Sequence, residues 1–211
     1  MSSKFNENDS GSGASANVIA IAGLNLALSY ENAAVDRLEK RSSESIVPEV
    51  KDRLRHHLEQ TKEQQERIRE RIKALGGREL GMEPTYEKGR LPIPEPPKQL
   101  KMMIESTSSE KEREVWELLN DLIIERAEAI MYKGGIQALE LLKADKKTVK
   151  ALERNLKEEE SFGNWLEKNN PKIAKRLMST QMEEKRKQYA KKKKVTKDEE
   201  ESLSTTLTAS A

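Results

Sequence analysis

The chain has two histidines, and they are neighbours: His56 and His57, in the stretch "DRLRHHLEQTKEQQERI". Imidazole serves near neutral pH as acid, base or metal ligand, so the question is which of the two faces inward. At helical spacing the apolar residues of this segment form a stripe of Leu54, His57, Thr61, Ile68, Ile72 and Leu75, with Leu58 flanking. His57 lies on the stripe, and His56 is rotated about 100° from it. Three other segments carry similar stripes. They are Leu24, Leu28, Glu31, Val35, Leu38; then Val115, Leu118, Leu122, Glu125, Ala129, Tyr132, Ile136, Leu139; then Val149, Leu152, Leu156, Glu159, Gly163, Leu166. Each is interrupted near its middle by a carboxylate: Glu31, Glu125 and Glu159. Glu128 stands one turn after Glu125 on nearly the same side. Tyr132, a turn further, reads as an aromatic filling the core that can also donate to a carboxylate.

A buried ionised carboxylate is costly unless it is paired or bound to a cation. Three of them converging on one imidazole repel one another. A divalent ion removes the repulsion, and this donor set suits iron, manganese or zinc. The competing reading has the glutamates at helix edges, paired with the plentiful lysines and arginines, and His57 as a hydrogen-bonded core residue.

The elements that must position these groups are helices. Hydrophobic residues make up 35% of the 211 residues and charged residues 36%, with few aromatics, a balance that suits long amphipathic helices and argues against sheets. The fold class expected is all-α. The absence of cysteine excludes disulfides, thiolate metal sites and cysteine nucleophiles, and is compatible with a reducing cytoplasm. The run "VIAIAGLNLAL" lacks the basic flank of a signal peptide, with Lys4 set against Glu7 and Asp9. Its eleven residues fall short of a membrane span. The expectation is a cytoplasmic protein with no membrane segment.

Disordered ends are expected over 1–16 and in the last residues of 181–211, flanking a helical domain over 17–180. Its helices are expected at about 18–43, from Pro48 to Gly76-Gly77, from the "TSSEKE" capping signal to about Lys143, and over 146–168. A fifth starts at "NNPKIAKRL", with Pro171 in its first turn. A short helical turn is expected near 100–105. Between the second and third long helices lies a crossover over 77–98 that holds Pro84, Pro92, Pro94, Pro96 and Pro97. Bundle loops usually run about 2–8 residues, and one long crossover here is a feature of ferritin-like bundles. The net charge of +2 conceals a basic segment: 172–197 holds eleven Lys/Arg against Glu183 and Glu184.

Four segments, "LALSYENAAVDRLEK", "LRHHLEQTKEQQERIRERIKALGG", "ERAEAIMYKGGIQAL" and "LERNLKEEESFGNWLEK", resemble in order the core helices of the YciE/YciF-type ferritin-like stress proteins. The "H-L-x-x-T" around His57 and the "E-x-x-E-x-x-x-Y" from Glu125 are the most specific pieces. The resemblance covers roughly 20–177. It implies a ferritin-like four-helix bundle with a dinuclear, carboxylate-bridged metal site, usually iron. The ligands it implies are Glu31, His57, Glu125, Glu128 and Glu159. A complete site uses Glu-x-x-His on two helices. Here Leu54 stands three before His57 and Phe162 three after Glu159, so one carboxylate and one imidazole are missing.

The function expected is metal binding, with iron foremost, in oxidative or general stress. A helical scaffold with a degenerate site, forming a homodimer, is the alternative. A third reading is salt-sensitive nucleic-acid binding through the basic residues of 185–197, which "KDEEE" follows as a counter-charge. No catalytic base stands apart from the candidate ligands. Phosphate loops, serine triads and structural zinc sites lack their parts.

Overall fold

The structure is a computed structural model that describes residues 9–81 and 97–208, with side chains over 15–81 and 97–193. The helices are α1 (Asp9–Glu44), α2 (Pro48–Ala74), α3 (Lys98–Ser106), α4 (Glu110–Leu141) and α5 (Lys146–Thr208). Most of the expected crossover, including Pro84, Pro92, Pro94 and Pro96, lies outside the described residues.

The chain's own signals set the helix ends. Pro48 opens α2, where its missing N–H costs nothing. α2 stops where Gly76 adopts φ +78° and the amides of Gly76 and Gly77 return to the carbonyls of Lys73 and Ile72, a left-handed terminator that glycine makes without strain. The Ser109 hydroxyl caps α4 by accepting from the Glu112 amide. Asp145 does the same for α5, its carboxylate accepting from the Thr148 amide at 2.9 Å.

Three boundaries differ from the sequence expectation. α1 starts at Asp9 rather than near Val18, and Ala16 and Ala20 are already buried in the bundle. The helix expected to begin afresh at Pro171 is continuous with the one before it. Proline removes a helix hydrogen bond, but Ile173 and Leu177 bury against the apolar cluster below and hold the chain on course. α5 also runs on through a Lys- and Glu-rich segment to Thr208, a composition of good helix formers.

Side-chain contacts give the topology. Along α1, Glu31, Arg37 and Arg41 meet Tyr132, Asp121 and Glu114 in turn, so α1 and α4 are antiparallel. Along α2, Arg53, Gln64 and Arg71 meet Ser161, Glu159 and Asp145, so α2 and α5 are antiparallel too. Short connections make α1–α2 and α4–α5 antiparallel hairpins. The order is therefore up, down, down, up. α2 and α4 run the same way, and the chain between them must return along a helix of 27 residues, about 40 Å at 1.5 Å per residue. That is why the crossover is long. This is the ferritin-like arrangement of an all-α four-helix bundle, with α3 packed on α4.

The core consists of two apolar clusters. One contains Leu38, Leu54, Leu118, Phe162 and Leu166; the other contains Leu24, Leu28, Ile68, Ile72, Ile136 and Leu152. Between them lies a layer of buried polar groups. Of the neighbouring helix pairs in the bundle, α1 and α4 touch least. Within 15–44, α1 also has an 18-residue window of mean hydropathy 1.4, long and apolar enough to cross a membrane by composition alone, of which 44% is buried in the bundle.

Candidate metal centre

Every stripe read from the sequence faces inward, and so do its polar interruptions. His57, Glu125 and Glu159 are almost completely buried, Glu31 and Glu128 nearly so, and His56 is exposed. α2, α4 and α5 bring the first three together. His57 Nε2 lies 2.9 Å from Glu125 Oε2 and 3.4 Å from Glu159 Oε2. Ligand atoms each about 2.1 Å from one ion sit about 3.0–3.4 Å apart, so this spacing fits a shared cation. Both carboxylate oxygens are buried without a hydrogen-bond partner, although buried polar atoms are rarely left so. Among the described residues, these three alone form such a cluster, with one ligand atom from each lying within 4.8 Å of the others.

Glu31 and Glu128 stand beside this group rather than in it. The Tyr132 hydroxyl donates to Glu31 Oε1 and accepts from Asn155 Nδ2 at 2.9 Å, so Tyr132 both fills the core and holds a carboxylate. Glu128 Oε2 is 3.9 Å from Arg37 Nη2. The same nitrogen donates to Glu125 Oε1 at 2.8 Å, and Nη1 donates to Asp121 at 3.3 Å. A guanidinium therefore lies among three carboxylates beside the His57 group.

The sequence reading missed this supporting layer. Gln64 donates to Glu159 Oε1 at 2.6 Å and keeps its remaining oxygen aimed at His57. Arg41 ties Asp121 to Glu114, at 3.0 and 3.1 Å, and Ser45 donates to Glu114. Gln64 lies two turns after His57, Asp121 four residues before Glu125 and Asn155 four before Glu159, so the helical period carried a signal. Arg37 and Arg41 lie off the α1 stripe and gave none.

The missing ligands have packing roles. Phe162 rests on the imidazole of His57, ring centroids 4.3 Å apart, and Leu54 is buried in the same apolar cluster.

Electrostatics follow from geometry. Burial opposes the charged imidazole of His57, but Glu125 and Glu159 outweigh it and raise its pKa well above the ordinary value. Burial likewise opposes charge on Glu125, yet His57 and Arg37 hold it down to about 2. Burial and the neighbouring carboxylates push Glu31 and Glu128 well above the usual range. Glu159 is raised by burial despite His57.

The fold recurs in solved structures. A protein of Xanthomonas campestris pv. campestris superposes with a TM-score of 0.61 at 17% identity, covering 79% of this chain and 99% of its own. YcfI of Rhodopseudomonas palustris gives 0.61 at 21% identity, covering 78% and 98%. No curated protein matches the sequence. The family model described as a domain of unknown function, DUF892, matches residues 19–179, which span the four bundle helices and the centre between them, and the chain belongs to that family.

Proposed function

We propose that the protein is a ferritin-like metal-binding protein of the YciE/YciF stress type, holding one divalent ion, preferably iron, on His57, Glu125 and Glu159. The observation that carries this reading is the pair of unpartnered carboxylate oxygens, Glu125 Oε2 and Glu159 Oε2, converging on one imidazole nitrogen inside the bundle. Three protein ligands leave coordination positions open, and iron bound there would supply redox chemistry toward O₂ or peroxide. The chain's own residues orient and insulate. Phe162 and Gln64 fix His57 and Glu159, and Arg37 supplies the charge a second ion would bring, which favours a mononuclear site. Cytoplasmic residence and a homodimer belong to the same proposal.

The test is metal content by mass spectrometry after anaerobic reconstitution with Fe(II). One ion per chain is expected, lost in Glu125→Ala/Glu159→Ala with helicity retained. Stoichiometric metal in that double variant would sink the reading. The packing of Leu54 and Phe162 in place of ligands favours a second reading, a scaffold with a vestigial site. That reading requires a melting temperature indifferent to EDTA. Beyond the bundle, Lys185, Arg186, Lys187 and Lys191 are exposed on α5 and support a basic arm for nucleic acid as a further proposal. Filter retention at low salt would test it.

A further inference from the structure

α1 and α4 part over a cleft of about 440 Å³, within the roughly 300–1,000 Å³ of small-molecule sites. Its walls are apolar, with Leu24, Ala27, Met131, Leu139 and Leu152 among them, and its polar groups include Glu31 and Glu128. Glu31 is held by Tyr132, and the cation nearest Glu128 is Arg37 at 3.9 Å. Arg37 links this end of the cleft to the candidate metal centre, since it also donates to Glu125 at 2.8 Å.

Three glycines line it, Gly23 on α1 and Gly134 and Gly135 on α4. A Cβ added at any of the three would meet nothing within 4 Å. Glycine inside a helix is unfavourable, and close helix approach, its usual compensation, does not apply at these positions. Gly163, by contrast, faces the Arg126 side chain at 3.3 Å. The glycines stand on both walls of the cleft with open space in front of them, so a larger side chain at either wall would enter it.

We infer that the α1–α4 cleft binds a small apolar molecule ending in a hydrogen-bond donor, an alcohol or amine, with the donor at Glu31 and Glu128. Apolar walls take the body and the carboxyl pair takes the head, where an anionic head would bring no proton to share and would be buried at a cost. The inference rests on the metal reading only where it places this head next to the ion; occupancy of the cleft is tested without metal.

The experiment uses the full-length, metal-free protein and N-phenyl-1-naphthylamine, a neutral apolar dye with an N–H donor. Enhanced fluorescence on binding is expected. Gly23→Leu and Gly135→Leu, on opposite walls, should each weaken it at least tenfold, and both changes raise helix propensity. Octylamine and octanol should displace the dye at least tenfold better than octanoate. Unchanged dye binding in both glycine variants would overturn the site. Displacement by octanoate as strong as by octylamine would overturn the donor head. A wild-type dimer that excludes dye and is split by Gly135→Leu would assign the cleft to a second copy and overturn the ligand. Fe(II) uptake is measured in parallel: dye binding without metal uptake overturns the metal reading and leaves the cleft standing.

Discussion

Phe162 packs on His57 with tilted rings, 4.3 Å between centroids and 35° between planes, and stands three residues after Glu159, where a Glu-x-x-His motif would put a second imidazole. The two rings record a trade between packing and ligation. Phe162→His should restore the ligand at a cost in core packing. The metal-free variant is expected to lose about 2–4 kcal/mol, with calorimetry showing Zn(II) recovering part of it. The variant should also bind Zn(II) more tightly than wild type. Equal affinity would mean that position 162 does not face the ion.

Arg37 supplies the opposite test. Its guanidinium serves Asp121, Glu125 and Glu128 at once, and removing one partner of a buried ion pair typically costs about 3–5 kcal/mol. Arg37→Met should destabilise the metal-free protein by that order in denaturant titration. The vacated space should then accept a cation, raising metal stoichiometry from one toward two per chain. A stable variant with unchanged stoichiometry would show that Arg37 is not a substitute for a second ion.

How much the sequence disclosed follows from which interactions are periodic. The stripes of α1, α2, α4 and α5, and with them His57, Glu31, Glu125, Glu128 and Glu159, follow helical spacing and were legible. The crossover was legible from its prolines. Three-dimensional choices were not: Arg37 reaches inward from off its stripe, and only the meeting of α1 with α4 gives it partners. The division of five candidate ligands into a three-residue cluster and a pair on a cleft wall likewise depends on how far α1 stands from α4. Continuity through Pro171 was hidden because local proline chemistry predicts a break, and burial of Ile173 and Leu177 overrides it.

Asp145 tests the start of α5 without touching the centre. Its carboxylate accepts from the Thr148 amide and pairs with Arg71 at 2.6 Å. Burial opposes the charge, but the Thr148 and Lys147 bonds and Arg71 together outweigh it and hold its pKa below the ordinary value. Asp145→Ala should cost about 1 kcal/mol near neutral pH, read as a lowered melting temperature. Because the pKa is depressed in the folded state, this contribution is present above the unfolded Asp value and lost as pH falls through the folded one. The gap between wild type and variant should close in acid.

The last prediction separates open glycines from crowded ones. A Cβ at Gly134 would meet nothing within 4 Å, whereas one at Gly77 would stand 2.8 Å from the Ile21 side chain. Gly134→Ala should therefore stabilise the chain by about 0.8–1 kcal/mol through helix propensity alone. Gly77→Ala should cost about 1–3 kcal/mol because Ile21, pressed on the α2 terminus, must move. Chemical denaturation of both variants measures the difference directly. A destabilised Gly134→Ala would mean that something covers that face in solution, and the second-copy outcome for the cleft would become the one to pursue.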